Sequence, residues 1–406
     1  MTAARLPDAE WRKSNGLGRV VAALADDHGG PRIVGGAVRD TLLGADVTDV
    51  DLATTLLPDV VMERLDRAGI RAIPTGLDHG TVTAVVDGKN YEITTLRRDV
   101  ATDGRRAIVA FSTDWKEDAA RRDFTINALY ADPASGEIFD YFGGLADLEA
   151  GTVRFIGDAG RRISEDYLRI LRYFRFMARF GCDEADTDAL HACTEGAHGL
   201  TALSRERIAQ ELLKLLAAAN PVRAVTLMKQ HGIFLPFLPE VTGNDLQRLV
   251  ERESRFAVSP SLPGRLLAIL PPDAVTVDKI AARLKLSNKM RESLAMRLTA
   301  QNPKPDTIRA FAYRTNIASA RDAAMLYADD SDLQDCLAAL QDWAVPTLPV
   351  KGGDLIARGL SAGPSVAKTL QTIEAQWISE GFPSSGRLNN IADQAVADAK
   401  LSSKNA

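Results

Sequence analysis

The spacing of apolar and polar positions changes character part-way along the chain. Up to about residue 155 the apolar residues fall in short runs, "RIVGG", "DVDLATT", "GTVTAVVDG", "NYEITTLR", "AIVAF" and "GEIFDYFGG". Runs of that length, rich in β-branched residues and bounded by turn formers, predict strands. Helical spacing occupies 8–28, stopped by Gly29, Gly30 and Pro31, and recurs near 58–68 and 116–130. Beyond residue 155 strand signals fade. Long helical patterns follow in "SEDYLRILRYFRFMARF", "SRERIAQELLKLLAAA", "NPVRAVTLMKQHG" and "VDKIAARLKLSNKMRESLAMRLTA". The pattern predicts an α+β chain: a small mixed sheet with helices, then an all-helical remainder with a frayed "KLSSKNA" end.

Composition narrows the class. A chain of 406 residues exceeds one compact core, so several domains are expected. Hydrophobic residues are 46% and charged residues 25%, with no run of eighteen apolar residues and no apolar leader, so neither a membrane span nor a secretory signal is expected. Three cysteines, Cys182, Cys193 and Cys336, leave one unpaired in any disulfide scheme, which favours a reducing cytoplasm. A net charge of −5 argues against a surface coated for indiscriminate nucleic-acid binding, and no DNA partner is expected. Yet Arg154 to Arg179 holds seven arginines against Asp158, Glu165 and Asp166. That local excess asks for a purpose.

Candidate chemistry begins in "GGAVRDTLLGADVTDVDLA", residues 35 to 53. On a strand Asp49 and Asp51 share a face while Val50 points into the sheet, which sets two carboxylates together. Like charges so placed invite a divalent cation, and Mg²⁺ suits carboxylates combined with substrate phosphates. Gly35 and Gly36 let the backbone approach a ligand, a helix starting at Ala37 would aim N–H groups at phosphate, and Arg39 adds a charged fork.

"GGAVRD" followed by "DVD" resembles motif A of the polymerase-beta-type nucleotidyltransferases, in the branch shared by class II tRNA nucleotidyltransferases and bacterial poly(A) polymerases. The resemblance implies an N-terminal nucleotidyltransferase head, a small mixed sheet with helices, followed by an all-helical neck, body and tail. Its expected segments are an N-terminal helix (1–28), the head (29–155), a base-reading neck (156–220), a body (221–345) and a tRNA-contacting tail (346–406). It further implies that Asp49 and Asp51 ligate two Mg²⁺ ions, with Glu92 in "NYEITTLR" as a third catalytic carboxylate. "RRDFTINALY" resembles motif B and carries Arg122, Asp123 and Asn127 to nucleotide binding, where a buried Asp or Asn discriminates a 2′-hydroxyl. Asp123 also suits a helix N-cap.

In "SEDYLRILRYFRF", Ser164 predicts an N-cap with Glu165 and Asp166 in the first turn. Asp166, Arg169, Arg172 and Arg175 recur every third residue, beside a core-facing stripe of Leu168, Leu171, Phe174 and Met177. Cytosine and adenine each present an amino donor beside a ring-nitrogen acceptor, and uracil and guanine present the reverse. A carboxylate next to a guanidinium therefore accepts C or A and rejects U or G without a template. The segment resembles the family's EDxxR motif, which carries Asp166 and Arg169 to base recognition and leaves Arg172 and Arg175 for phosphates or packing.

"DYFGGLADLEAGTVRFIGD" resembles a hinge-like motif around Gly143 and Gly144, and "SRERIAQELLKLL" a supporting helix with a structural role. Lys351 and Lys368, in a segment resembling the closing part of many class II enzymes, could touch RNA phosphates. The full segment before "RRDF" and the lack of a basic-aromatic signature favour addition of C, C and A to the tRNA 3′ end, at its acceptor and T arms, from CTP and ATP. Poly(A) synthesis, CC-only or A-only addition, and a catalytically silent RNA-binding protein are the alternatives. The five histidines contain no His-Asp doublet, so no phosphatase domain is expected.

Overall fold

The computed structural model describes residues 4–26, 30–103, 106–180, 185–243, 245–300 and 302–404. Two compact units emerge, Met1–Pro239 and Glu240–Ala406.

In the first unit helix α1 (Asn15–Leu24) is followed by β1 (Arg32–Val34), α2 (Gly36–Leu42), β2 (Val50–Thr54), α3 (Pro58–Arg67), β3 (Arg71–Gly76), β4 (Thr81–Val86) and β5 (Lys89–Thr95). A hairpin of β6 (Arg97–Asp103) and β7 (Arg106–Phe111) leads to α4 (Trp115–Ala120), β8 (Leu129–Ala131), β9 (Ile138–Asp140) and α5 (Gly144–Glu149). The remainder is helical among the described residues: α6 (Ala159–Glu165), α7 (Leu168–Phe180), α8 (Thr187–Gly196), α9 (Arg205–Leu216) and α10 (Val222–Gln230). Seven strands form one mixed sheet in the order β3-β4-β5-β2-β1-β8-β9, with only β2 and β5 parallel.

Several expectations need correction. The helix expected over 8–28 is a 3-10 turn, Glu10–Lys13, then α1, because the Ser14 hydroxyl accepts from Leu17 N–H and restarts the helix there. The helix expected near 116–130 stops at Ala120. A 3-10 turn, Thr125–Asn127, follows, and then β8, whose three residues are buried between β1 and β9. Sheet pairing there overrides the helical preference of Leu129 and Ala131. Asp123 is accordingly not the cap of an α-helix. Strand β3, unforeseen, is an edge strand, and Pro74 falls in its register irregularity between Ile73 and Gly76, so it costs no ladder bond. The end expected to fray is helical through Lys404.

The stripe predicted on α7 is buried: Leu168, Leu171, Phe174 and Met177 expose 8% or less. An aromatic cluster joins that helix to the sheet, with Phe124 ring centroids 4.8 Å from Phe155 and 5.4 Å from Phe176, and Phe155 stacked 5.8 Å from Tyr173. In the second unit the segment Val350–Val396 has its own core around Trp377, and buried pairs Arg265–Glu253 and Arg297–Asp322 close at 2.7 Å.

The glycine pair expected to act as a hinge is firmly held. The Asp140 carboxylate accepts from the amides of Phe142, Gly143, Gly144 and Leu145 at 2.9–3.2 Å. A Cβ on Gly144 would lie 2.3 Å from the Thr125 carbonyl oxygen, so this position admits only glycine. Gly144→Ala is expected to destabilise the protein by about 1–3 kcal/mol through backbone overpacking, measured as a lower urea midpoint.

Candidate functional site

The apolar residues Ile33 and Val34 anchor β1 in the core and deliver the chain to Gly35, where φ is 68° and ψ −116°. That conformation favours glycine, and it brings Gly35 close to the Asn127 carbonyl. Helix α2 then starts at Gly36, one residue earlier than expected. It is only seven residues long, so charge near this turn comes mainly from side chains.

Asp49 lies just before β2 and Asp51 within it, in register with Glu92 on parallel β5. All three are solvent-exposed. Neighbouring protein still displaces enough water around Asp51 to push its carboxyl up to about 6, with Glu92 and Asp49 adding to the rise and Arg122 opposing it. Asp49 accepts a hydrogen bond from the Thr48 hydroxyl at 3.1 Å. Among the described residues no ion pair reaches these three carboxylates, and no three metal-binding side chains converge. The protein thus offers an acidic strand end that Arg122 only partly compensates, fit for a divalent cation whose remaining ligands are phosphate or water.

The opposite wall is compensated. Arg172 Nε and Nη2 donate to Asp123 Oδ2 at 2.6 and 2.5 Å, while Asp123 Oδ1 accepts from the Asn127 amide at 3.0 Å and the Phe124 N–H at 2.9 Å. Burial alone would raise the Asp123 carboxyl, but Arg172, Asn127 and Phe124 together hold it below the usual range. Arg39 donates to Asn127 Oδ1 and holds Asp40 at 2.8 Å, and Arg179 reaches Asp40 at 2.9 Å. The Arg39 fork, expected for phosphate, is therefore engaged with Asp40 and Asn127. Arg122 donates to Tyr130 at 3.1 Å and Asp118 at 3.2 Å.

Asp166 does not stand in a first helical turn. Ser164 and Glu165 close α6, which Asp158 caps, and Asp166 is extended (φ −154°) between α6 and α7, accepting from Leu168 N–H at 3.0 Å to start the new helix. Arg169 donates to Glu165 at 2.5 Å and to the Arg162 carbonyl at 2.6 Å. Asp166 is held by Arg207 of α9 at 2.7 Å. Arg175 pairs with Glu211 at 3.0 Å. The arginine excess is thus spent on carboxylates from α6, α9 and the sheet region.

These elements enclose a cleft of about 430 Å³. It is lined by Gly35, Gly36, Arg39, Asp51, Arg122, Asp123, Asn127, Asp166, Arg169 and Arg172, all expected from the sequence. Asp49, Glu92 and Arg175 are not in its lining. Leu168, Phe176 and Arg207 line it too and were not expected; Arg207 sits in the helix read as purely structural, and nothing local in "SRER" marks it. A larger cavity, about 670 Å³ and lined by Arg154, Asp186 and His191 among others, contains none of the candidate catalytic or nucleotide-binding residues.

Residues 31–154 match the family described as "Poly A polymerase head domain", and residues 185–244 the one described as "Probable RNA and SrmB- binding site of polymerase A". The chain is 38% identical over 391 residues to the CCA tRNA nucleotidyltransferase 1, mitochondrial, of Mus musculus, with 93% of this chain and 89% of that one covered. The chain belongs to the CCA-adding tRNA nucleotidyltransferase family. The CCA-adding enzyme of Streptococcus sanguinis is 34% identical over 355 residues, covering 84% of this chain and 87% of that one. The crystal structure of the Bacillus stearothermophilus CCA-adding enzyme in complex with CTP superposes with a TM-score of 0.71 at 27% identity, covering 98% of this chain and all of that one. Among the described residues no helix is long and apolar enough to cross a membrane.

In this CCA-adding family member the raised Asp51 carboxyl makes a signed prediction. Its proton is held more tightly folded than unfolded, so ionising it costs stability as pH rises from about 4 to about 6, and the cost persists above that. Asp51→Asn is expected to stabilise the metal-free protein at pH 7.5 by no more than about 1 kcal/mol after solvent screening, with no gain at pH 4, measured by thermal unfolding.

Proposed function

We propose that the chain adds C, C and A to the 3′ end of tRNA, using CTP and ATP and releasing pyrophosphate. The observation that carries this is one cleft whose lining includes Asp51, Asp166 and Arg169. Asp49 and Asp51 would hold Mg²⁺, two ions by family likeness; bound there, the metal activates the 3′-hydroxyl and stabilises the pyrophosphate leaving group. Glu92, beside Asp51 in register, raises the negative potential that attracts the cation. Asp123 and Asn127, both lining the cleft, would supply the fixed acceptor and donor for a ribose hydroxyl.

Asp166 supplies the acceptor for the amino group of cytosine or adenine, and Arg169 the donor for the adjacent ring nitrogen. Uracil and guanine would set acceptor against acceptor and donor against donor, an unpaired arrangement that costs binding. Arg122 and Arg172 border the cleft as cations for the triphosphate. We assign residues 29–155 to catalysis, 156–220 to base reading, 221–345 to a helical body and 346–406 to a tRNA-contacting tail. The buried thiols of Cys193 and Cys336, both free, support a reducing compartment, which we take as the cytoplasm; Cys182 lies outside the described residues.

Incubation with labelled CTP and ATP, Mg²⁺ and tRNA lacking its 3′ CCA is expected to yield three added nucleotides. A long adenosine tail or a two-nucleotide product would replace this function with poly(A) or CC addition. The double variant Asp49→Ala/Asp51→Ala is expected to lose on the order of 10³-fold or more in incorporation rate. Asp166→Ala is expected to narrow the preference for CTP over UTP by about 10²-fold.

A further inference from the structure

We propose that Asp118 is a positioning residue for the nucleotide, acting through Arg122, an inference that rests on the nucleotidyltransferase function above. Asp118 is 1% exposed and lies outside the cleft lining. Its single carboxylate collects donors from four places. Oδ1 accepts from the Arg97 main-chain N–H at 3.3 Å, at the root of the β6–β7 hairpin, and from Arg121 Nε at 3.0 Å. Oδ2 accepts from the Tyr130 hydroxyl at 2.6 Å and from Arg122 Nη2 at 3.2 Å.

Burial would raise this carboxyl, yet Arg122, Arg121 and Tyr130 together keep it below the usual range. The charge is therefore present when the cleft is empty. Arg122 is fixed twice over on this side, because its Nε also donates to the Tyr130 hydroxyl at 3.1 Å. Its main-chain carbonyl accepts from Arg162 at 2.5 Å, so the backbone cannot drift. What remains is one direction for the fork, toward the cleft that it shares with Asp51, whose charge it partly offsets. A long, flexible cation is thereby ordered before any triphosphate arrives, which removes an ordering cost from binding.

An Asp118 with a merely structural role would affect folding but not couple to Arg122 in catalysis. The experiment is a double-mutant cycle on kcat/KM for CTP and ATP, with tRNA lacking CCA, using Asp118→Asn, Arg122→Ala and the pair. Asparagine keeps the shape but removes the charge facing Arg122 Nη2. The expected result is a loss of about 10²-fold for Arg122→Ala, about 10-fold or more for Asp118→Asn, and no further loss in the double variant, with the CTP-over-UTP preference unchanged. Losses that multiply, or a changed base preference, would overturn the inference. If Asp118→Asn does not fold, Tyr130→Phe takes its place in the same cycle, since it removes one hydroxyl that bridges Asp118 and Arg122. A wild-type protein that adds no nucleotide would instead defeat the proposed function itself, and the two failures are distinguishable.

Discussion

One helix holds the site together by giving its arginines to the sheet region. Arg172 and Arg179, seven residues apart and therefore on nearly the same side of α7, take Asp123 and Asp40. Asp123 sits beside the 3-10 turn and Asp40 on α2, so the turn and that helix are both tied to one element. Partly buried ion pairs of this kind add little net stability, because desolvating two charges offsets most of their attraction. Their value is geometric. Removing one partner leaves the other charge stranded, so only one relative placement of α7 and the sheet satisfies every group.

That placement produces a cleft with two unlike walls. On the helical wall each acid has its arginine: Asp123 has Arg172, Asp166 has Arg207 and Glu165 has Arg169. On the strand side Asp51 lines the cleft, with Glu92 and Asp49 outside the lining adding to its unfavourable charge and Arg122 giving it only partial relief. A nucleotide is the natural complement to this division. Its triphosphate, with a divalent cation, suits the acidic strand end, and its base edge suits the fixed donor and acceptor at the start of α7.

Much of this was legible in the sequence where the chemistry is local. Gly35, Gly36, Asp49 and Asp51 lie within seventeen residues, and of the two aspartates only Asp51 falls on the strand, β2 starting at Val50. The stripe on α7 followed from helical spacing alone. What stayed hidden depends on distant partners. Arg172 finds Asp123 across 49 residues and Arg207 finds Asp166 across 41, and no short pattern encodes either meeting. Strand β8 was hidden because "NALYA" favours a helix until β1 and β9 claim its backbone. The break at Asp166 was hidden for a similar reason: its carboxylate binds Leu168 N–H, splitting one apparent helix into two.

The most direct test is a crystal structure with CTP and Mn²⁺ bound. The account predicts anomalous density at the carboxylates of Asp49 and Asp51, with the cytosine amino group at Asp166 and its ring nitrogen at Arg169. Cytosine bound in the larger cavity by Arg154 and His191, or metal density away from both aspartates, would contradict it.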